Sequence, residues 1–117
     1  MSEAREGYSA EVRQLFRAPT HAGSLAGGRI ARAAGQGVSV ELSMRCDGAM
    51  IGALRFRARG CPHLLAAAEA VCRDFEGRPV ADLASYSALA TVNSLPVPVE
   101  KTGRILVLED AVRLLGT

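Results

Sequence analysis

The chain has few aromatic residues and almost no net charge. Its 117 residues include no tryptophan, three phenylalanines and two tyrosines, and 14 basic against 12 acidic side chains leave a net charge of +2. Proteins that bind nucleic acids combine a strongly basic surface with aromatic side chains on which bases stack. The shortage of both argues against a nucleic-acid partner.

Long apolar runs and paired cysteines are also missing. Charges or glycines interrupt every apolar stretch well before the roughly 20 residues that a membrane-spanning helix needs. The charged start, Met1–Gly7, does not resemble a secretory signal. The three cysteines have no paired spacing, which is typical of a reducing compartment. We therefore expect a cytoplasmic protein with no membrane contact, and the length predicts one domain spanning residues 1–117.

Alternation of apolar and polar residues predicts a small sheet. Gly37–Arg45 places Val38, Val40, Leu42 and Met44 on one face, so we expect a strand with one buried and one exposed face. Asp47-Gly48 is a two-residue hairpin signal, and a further alternating segment runs over Ile51–Arg59. Gly28–Ala33 forms a weaker first strand.

Apolar residues at helical spacing predict the remaining elements. We expect a short helix over Ser9–Phe16, a helix over Leu64–Glu76, one or two short helices within Val80–Val92 and a last helix over Thr102–Leu115. Two prolines make Leu95–Lys101 an extended loop. The predicted fold is an α+β domain, a three-stranded antiparallel sheet with helices packed on one face.

Cys61 stands where the third strand turns into the following helix. It lies in Arg59-Gly60-Cys61-Pro62-His63, and Pro62 suits the first helical position. A thiolate beside the unpaired N–H groups that open a helix is stabilised by about 0.3–1 kcal/mol. Cys61 is therefore a candidate nucleophile or metal ligand. The alternative is a small buried residue in a tight turn.

The other thiols are too far from Cys61 to act with it. Cys46 lies at the opposite end of the third strand, about 30 Å away, and Cys72 lies about 16 Å along the helix. A disulfide needs Cα atoms within about 7 Å, and Cys72 belongs to an apolar stripe, which indicates core packing. His63 beside Cys61, and His21 from the loop, are candidate metal ligands; the alternative for each is a surface or capping role.

Four arginines, Arg45, Arg55, Arg57 and Arg59, are predicted to form a basic stripe on the exposed face of the sheet. Such a stripe is typical of a solvated face that keeps a sheet soluble. No catalytic triad, carboxylate pair or phosphate-binding loop is visible, so we do not expect an enzyme.

Several short motifs follow one another in an order typical of one family: Tyr8-Ser9 with Leu15-Phe16, Ala18-Pro19-Thr20-His21-Ala22-Gly23, Arg55-Phe56 with Gly60-Cys61 and Ala66-Ala67-Ala68, Pro98 with Lys101, and Glu109-Asp110-Ala111. In this order the chain, from about Tyr8 to Leu115, resembles the IscU/NifU-type iron–sulfur cluster assembly scaffolds. The motifs are similar to that family's opening helix, Asn-Pro-x-Asn-x-Gly loop, Gly-Cys corner, Leu-Pro-Pro-Val-Lys chaperone segment and last helix. The resemblance implies an IscU/NifU-N-like fold and a role in iron–sulfur metabolism.

The chain departs from that family at the ligands. The resemblance implies three ligand cysteines, with an aspartate two residues after the first. Here the first cysteine position falls within Ala34–Gly35, the aspartate position within Gln36–Gly37, and the last His-Cys near Gly103-Arg104, so only Cys61 remains. Gln36 and Arg104 are then expected beside the site, where Arg104 would favour an anion such as a thiolate or sulfide.

The chaperone segment is altered as well. In Leu95–Lys101 a glutamate, Glu100, precedes the lysine. Its charge argues against contact with the Hsp70-type chaperone of the family.

Three functions remain open. The first is a scaffold-like protein that binds iron, a cluster or sulfur through Cys61, with His63, glutathione or a second chain as further ligands, since a [2Fe–2S] cluster usually takes four. The second is a metal-free adaptor or regulator that binds a cysteine desulfurase or another assembly partner. The third is a single-cysteine persulfide carrier.

Overall fold

A three-stranded antiparallel sheet with helices against it forms the described part of the protein. The computed structural model describes Ala10, Gln14, residues 19–88 and residues 102–117. The elements are β1 (Arg29–Gly35), β2 (Val38–Asp47), β3 (Met50–Arg59), α1 (Pro62–Phe75), a 3-10 helix (Val80–Ser85) and α2 (Thr102–Leu115), and the strands lie in the order β1-β2-β3. This confirms the predicted α+β architecture.

Two predicted segments fall largely outside the described residues. Within the expected helix Ser9–Phe16 only Ala10 and Gln14 are described, and both are helical. The expected loop Leu95–Lys101 lies wholly outside, as does the end of the predicted Val80–Val92 region. None of the helices in the described ranges is long and apolar enough to cross a membrane.

The hairpin between β1 and β2 was not predicted from the sequence. Gly35 pairs with Val38, so Gln36 and Gly37 form a two-residue turn. Both have positive φ, 53° and 74°, as the primed turns that match the twist of a hairpin require. The signal in the sequence was a Gln-Gly pair, which resembles the favoured Asn-Gly.

The second hairpin turns one residue later than expected. Asp47 pairs with Met50, so the two turn residues are Gly48 and Ala49 rather than Asp47-Gly48. Gly48 takes the positive φ, 63°. A shift in register between Arg45 and Cys46 leaves Gly52 of β3 as an extra residue without a partner on β2.

The core lies between one face of the sheet and the two helices. The alternation predicted for β2 and β3 is confirmed, because α2 packs on β1 and β2, α1 packs on β3, and the helices contact each other. On α1 the predicted apolar stripe is buried except for Leu65, which is half-buried. The largest fully buried apolar side chains are Leu42, Met44, Ile51, Leu54, Leu64, Leu83, Ile105, Leu108 and Leu115.

Ser43 is an exception to the predicted exposed face of β2, because it is 1% exposed. The segment Ser24–Ala26 crosses this outer face of the sheet, and the Leu25 N–H donates to Ser43 Oγ at 3.0 Å. Arg45 holds the same segment by donating to the Ala26 carbonyl at 3.0 Å. The expectation of an exposed serine was wrong because the strand pattern does not show which loop will cover it.

The edge of β3 is covered by other parts of the chain. Near its start, β3 makes backbone hydrogen bonds with residues 77–80. The Leu54 N–H donates to the carboxylate of Glu76 at 2.9 Å. Farther along, Phe56 donates to the His21 carbonyl at 2.9 Å and accepts from the Gly23 N–H at 2.8 Å. These contacts protect an edge that would otherwise pair with other chains.

Two carboxylates of α1 fix the segment 19–23 against that edge. His21 lies between them, with Nδ1 2.7 Å from Glu69 Oε2 and Nε2 3.0 Å from Glu76 Oε1. The His21 backbone N–H also donates to Glu69 Oε1 at 2.9 Å. Because ionised carboxylates only accept hydrogen bonds, both ring contacts are hydrogen bonds when both ring nitrogens carry protons.

Further donors keep both carboxylates ionised. Glu69 is fully buried and also accepts from Thr20 Oγ1 at 2.9 Å and Arg73 Nε at 2.7 Å. Burial acts to raise the pKa of Glu69, but the hydrogen bonds outweigh burial and hold this pKa below its usual 4.5. Burial also acts to raise the pKa of Glu76. Hydrogen bonds from the Leu54 N–H, His21 and Arg55 outweigh burial and hold this pKa below its usual value.

The corner between β3 and α1 requires a glycine. Gly60 has φ 151°, and a Cβ built there would lie 2.4 Å from Val38 Cγ1 and 3.1 Å from Leu64 Cδ2. The missing side chain therefore lets the start of β2 contact the start of α1.

We expect Glu69→Gln to lower the free energy of unfolding by about 2–4 kcal/mol at about pH 7, because a neutral amide is a weaker acceptor than this buried carboxylate for the several donors that surround it. Folding lowers the pKa of Glu69, so the stabilisation by its ionised form is complete above the unfolded value near 4.5. This stabilisation is lost as the pH falls through the pKa of Glu69 in the folded protein. The difference from wild type should therefore shrink below about pH 4.5, as measured by urea unfolding at a series of pH values.

The matched control for that series is Asp110→Asn, which removes the same charge at an exposed position of α2. It should change the unfolding free energy by less than about 0.5 kcal/mol. If the difference in unfolding free energy between Glu69→Gln and wild type stays constant as the pH is lowered, the proposed ionisation of Glu69 is contradicted.

We also expect Gly60→Ala to destabilise the protein by about 1–3 kcal/mol more than Gly77→Ala. Gly77 also has a positive φ, 87°, but an added Cβ would meet no atom within 4 Å. The cost of Gly77→Ala therefore measures the backbone strain alone. Adding Val38→Ala to Gly60→Ala should recover part of the loss, because the two side chains would clash. Equal costs at the two glycines in chemical denaturation would refute the steric argument.

Candidate functional site

Three separate segments meet at one end of the molecule. The contact of Gly60 with Val38 places the β3–α1 corner against the start of β2. A Cβ added to Gly103 would lie 3.3 Å from Gln36 Oε1, so the β1–β2 turn contacts the first turn of α2. The positions at which the resemblance placed ligands thus lie at the same end as Cys61.

Cys61 is the residue that precedes α1. Its backbone is extended, with φ −81° and ψ 160°, and Pro62 follows at the start of the helix. Its carbonyl accepts hydrogen bonds from the N–H groups of Leu64 at 3.0 Å and Leu65 at 3.3 Å. The side chain is half-buried, so the thiol lies at the predicted strand-to-helix corner without being sealed in the core.

The other two cysteines lie elsewhere, as expected. Cys46 is exposed at the far end of β2, and Cys72 is buried in α1. Burial, followed by the negative charges of Glu69 and Glu76, raises the pKa of Cys72 far above its ordinary value. None of the three forms a disulfide, and no group of three or more metal-ligating side chains occurs within residues 19–88 and 102–117.

The two histidines differ from the sequence-based expectation. His63 is 1% exposed, so it is not a surface residue, and any ion that it bound would lie inside the protein. His21 is held by Glu69 and Glu76. Because Glu69 is eight residues after Cys61, about 12 Å along the helix, His21 does not approach Cys61 as a ligand.

The surroundings of Cys61 are rich in positive potential. Both α1 and α2 begin at this end, and the N-terminus of a helix carries a partial positive charge. Arg104, half-buried in the first turn of α2, adds a full charge near Gln36, whose side chain contacts Gly103. The arrangement offers one thiol, Cys61, for a metal or a transferred sulfur atom, and the described residues place no acid–base pair beside it.

The carboxylates that position segment 19–23 were missed by the sequence analysis. Glu69 interrupts a run of alanines on the predicted apolar stripe of α1. A charged residue within such a stripe signals a buried polar partner, although it does not say that the partner is His21.

Comparisons with known proteins were made for sequence and structure. No protein-family model matches the chain, and no curated protein sequence is similar to it. Solved structures do match. A proposed iron–sulfur cluster assembly scaffold protein for the SUF system from the thermophile Fervidobacterium islandicum AW-1 aligns with a TM-score of 0.74 at 13% identity, over 94% of this chain and 96% of that one.

A second solved structure is the N-terminal part of a nitrogen-fixing NifU-like protein from Brucella abortus. It aligns with a TM-score of 0.73 at 14% identity, over 96% of this chain and 93% of that one. At such identities the likeness concerns the fold. The chain has the fold of the IscU/NifU-type iron–sulfur cluster assembly scaffolds.

Proposed function

We propose that this protein acts in iron–sulfur cluster assembly as a scaffold-like protein that binds iron, a cluster or sulfur through Cys61. The observation that carries the proposal is the meeting of the β1–β2 turn, the Gly60–Cys61 corner and the start of α2 at one end of a scaffold fold. The proposed role is non-enzymatic and cytoplasmic, in a compartment where a free thiol such as Cys61 stays reduced.

The described residues supply too few ligands to hold a cluster alone. A [2Fe–2S] cluster usually takes four protein ligands, whereas the described residues contain no group of three. Cys61 is the first ligand. His63 is the candidate second ligand. Because His63 is buried, the metal has to lie inside the protein at the start of α1. The others come from outside the chain, from glutathione, a second copy or an assembly partner.

Persulfide transfer is the second candidate function, favoured by the single thiol in positive surroundings. A cysteine desulfurase carries a persulfide on its own cysteine. The Cys61 thiolate attacks the outer sulfur of that persulfide, a new S–S bond forms on Cys61, and the desulfurase cysteine leaves as a thiolate. Arg104 and the two helix N-termini stabilise the anionic persulfide that results. The step needs no external oxidant.

The proposed partner in either case is a cysteine desulfurase or another iron–sulfur assembly protein. The segment Leu95–Lys101, where the family contacts its chaperone, lies outside the described residues. No part of the proposal depends on that contact.

We expect anaerobic reconstitution with ferrous iron, sulfide and glutathione to load the wild-type protein with iron and acid-labile sulfide. Cys61→Ser should lose both, because it removes the thiolate at the site. Cys46→Ser should keep both, because Cys46 lies at the opposite end of β3. Metal and sulfide analysis and the visible spectrum measure the result.

A wild-type protein that stays colourless and free of iron would refute the metal-binding function and leave the adaptor or the persulfide carrier. Equal loading of Cys61→Ser and wild type would show that iron binds elsewhere.

For the persulfide carrier, we expect a cysteine desulfurase supplied with cysteine to add one sulfur atom to Cys61. Intact-protein mass spectrometry should show a gain of about 32 Da that dithiothreitol reverses. Arg104→Gln should reduce the yield severalfold, because it removes a charge that stabilises the anion. Addition of sulfur to Cys46 with none on Cys61 would contradict this function.

A further inference from the structure

Among the residues that the structure describes, the chain covers the outer face of the sheet at one end only. Over the middle of β2 the segment Ser24–Ala26 contacts Ser43 and Arg45, and Ser24 Oγ donates to Glu41 at 3.4 Å. Toward the end of β3 that leads to Cys61, no segment within the described ranges crosses this face. The uncovered part therefore lies beside the site.

An open depression of about 620 Å³ occupies the uncovered part. Its outward-facing side chains come from two rows across the three strands. The first row runs across Ala34, Ser39 and Arg59 and contains two small residues. The second row runs across Arg32, Glu41 and Arg57, and all three are charged. The depression exists because the small side chains leave space between longer ones. The charged wall consists of Arg32, Glu41, Arg57 and Arg59.

Two of the wall's arginines make no ion pair within the described part of the chain. Glu41 is already paired with Arg32 at 3.0 Å, whereas Arg57 and Arg59 are exposed. They project from the same face of β3 two residues apart, a separation of about 7 Å, so their charges repel. This is an electrostatic cost that a bound anion would remove.

The other arginines of the predicted basic stripe are used by the fold. Arg55 pairs with Glu76 at 2.8 Å, and Arg45 donates to the Ala26 carbonyl. The stripe is therefore divided: among the described residues Arg55 is charge-paired, Arg45 is bound to a backbone carbonyl, and the two arginines at the depression have no ion pair.

We propose that the depression docks an acidic, extended segment of a partner protein. Alternate side chains of an extended peptide are also about 7 Å apart, so two of its carboxylates can bind Arg57 and Arg59, whose guanidinium groups suit carboxylates. The small side chains of the floor leave room for the peptide backbone. Arg59 is two residues before Cys61, so the docked partner lies next to the thiol. The proposal goes beyond metal or sulfur binding and does not require either.

Fluorescence anisotropy with a labelled peptide of about ten residues, alternating glutamate and alanine, tests this docking. The wild type should bind the peptide saturably, and more weakly as salt is raised. Arg57→Gln and Arg59→Gln should each weaken binding about tenfold, as expected for the loss of a hydrogen bond between charged groups. Arg45→Gln, the same charge change at the covered end of the same face, should change it less than about twofold.

Three results would overturn the proposal: no saturable binding, equal weakening by Arg45→Gln, or binding of inorganic phosphate with the same arginine dependence in place of the peptide. The last would assign the depression to a free anion. Cys61→Ser should bind the peptide as tightly as wild type. Arg57→Gln should still load iron and sulfide, so that failure of docking and failure of the thiol chemistry are distinguished.

Discussion

Two carboxylates, the buried Glu69 of α1 and the partly exposed Glu76 directly after α1, hold the edge of the sheet in place. They accept hydrogen bonds from the ring of His21, and Glu76 also takes the Leu54 N–H from the edge of β3. The helix, the edge strand and the segment before β1 are thereby joined through side chains rather than through a fourth long strand. Because every donor faces an ionised acceptor, removing one carboxylate would leave several buried groups unsatisfied.

Once segment 19–23 is fixed, the course of the chain before β1 follows. It crosses the outer face of the sheet over Ser43 and then enters β1. The crossing segment accepts a hydrogen bond from Arg45 through the Ala26 carbonyl, and Glu76 forms an ion pair with Arg55. What remains uncovered is the end of the face beside Cys61, with Arg57 and Arg59. The polar contacts that stabilise the edge thus also determine which positive charges stay available.

The end of the molecule that holds Cys61 is where we propose the functional site. Gly60 permits the close contact with Val38, and Gln36 contacts Gly103, so three segments meet there. The described residues at this end include one thiol, the N-termini of two helices and Arg104, and the described ranges contain no group of three metal-ligating side chains. The proposed thiol chemistry therefore depends on ligands or sulfur from another molecule, and the proposed docking surface would bring such a molecule close. On these proposals, thiol chemistry and partner binding are parts of one function.

The sequence by itself determined the strands, the start of α1 at Pro62, the extent of α2 and the position of Cys61. These follow from alternation, helical spacing and a proline, which are local patterns. The resemblance to a scaffold family added the fold. Only the tertiary structure decided that His21 binds Glu69 instead of approaching Cys61, and that His63 and Ser43 are buried. It also decided that, within the described ranges, Arg55 and Arg45 have polar partners while Arg57 and Arg59 make no ion pair. The physical reason is that each of these outcomes depends on residues far apart in the chain, such as His21 and Glu69, whose meeting is fixed by strand register and loop path rather than by any pattern of neighbouring residues.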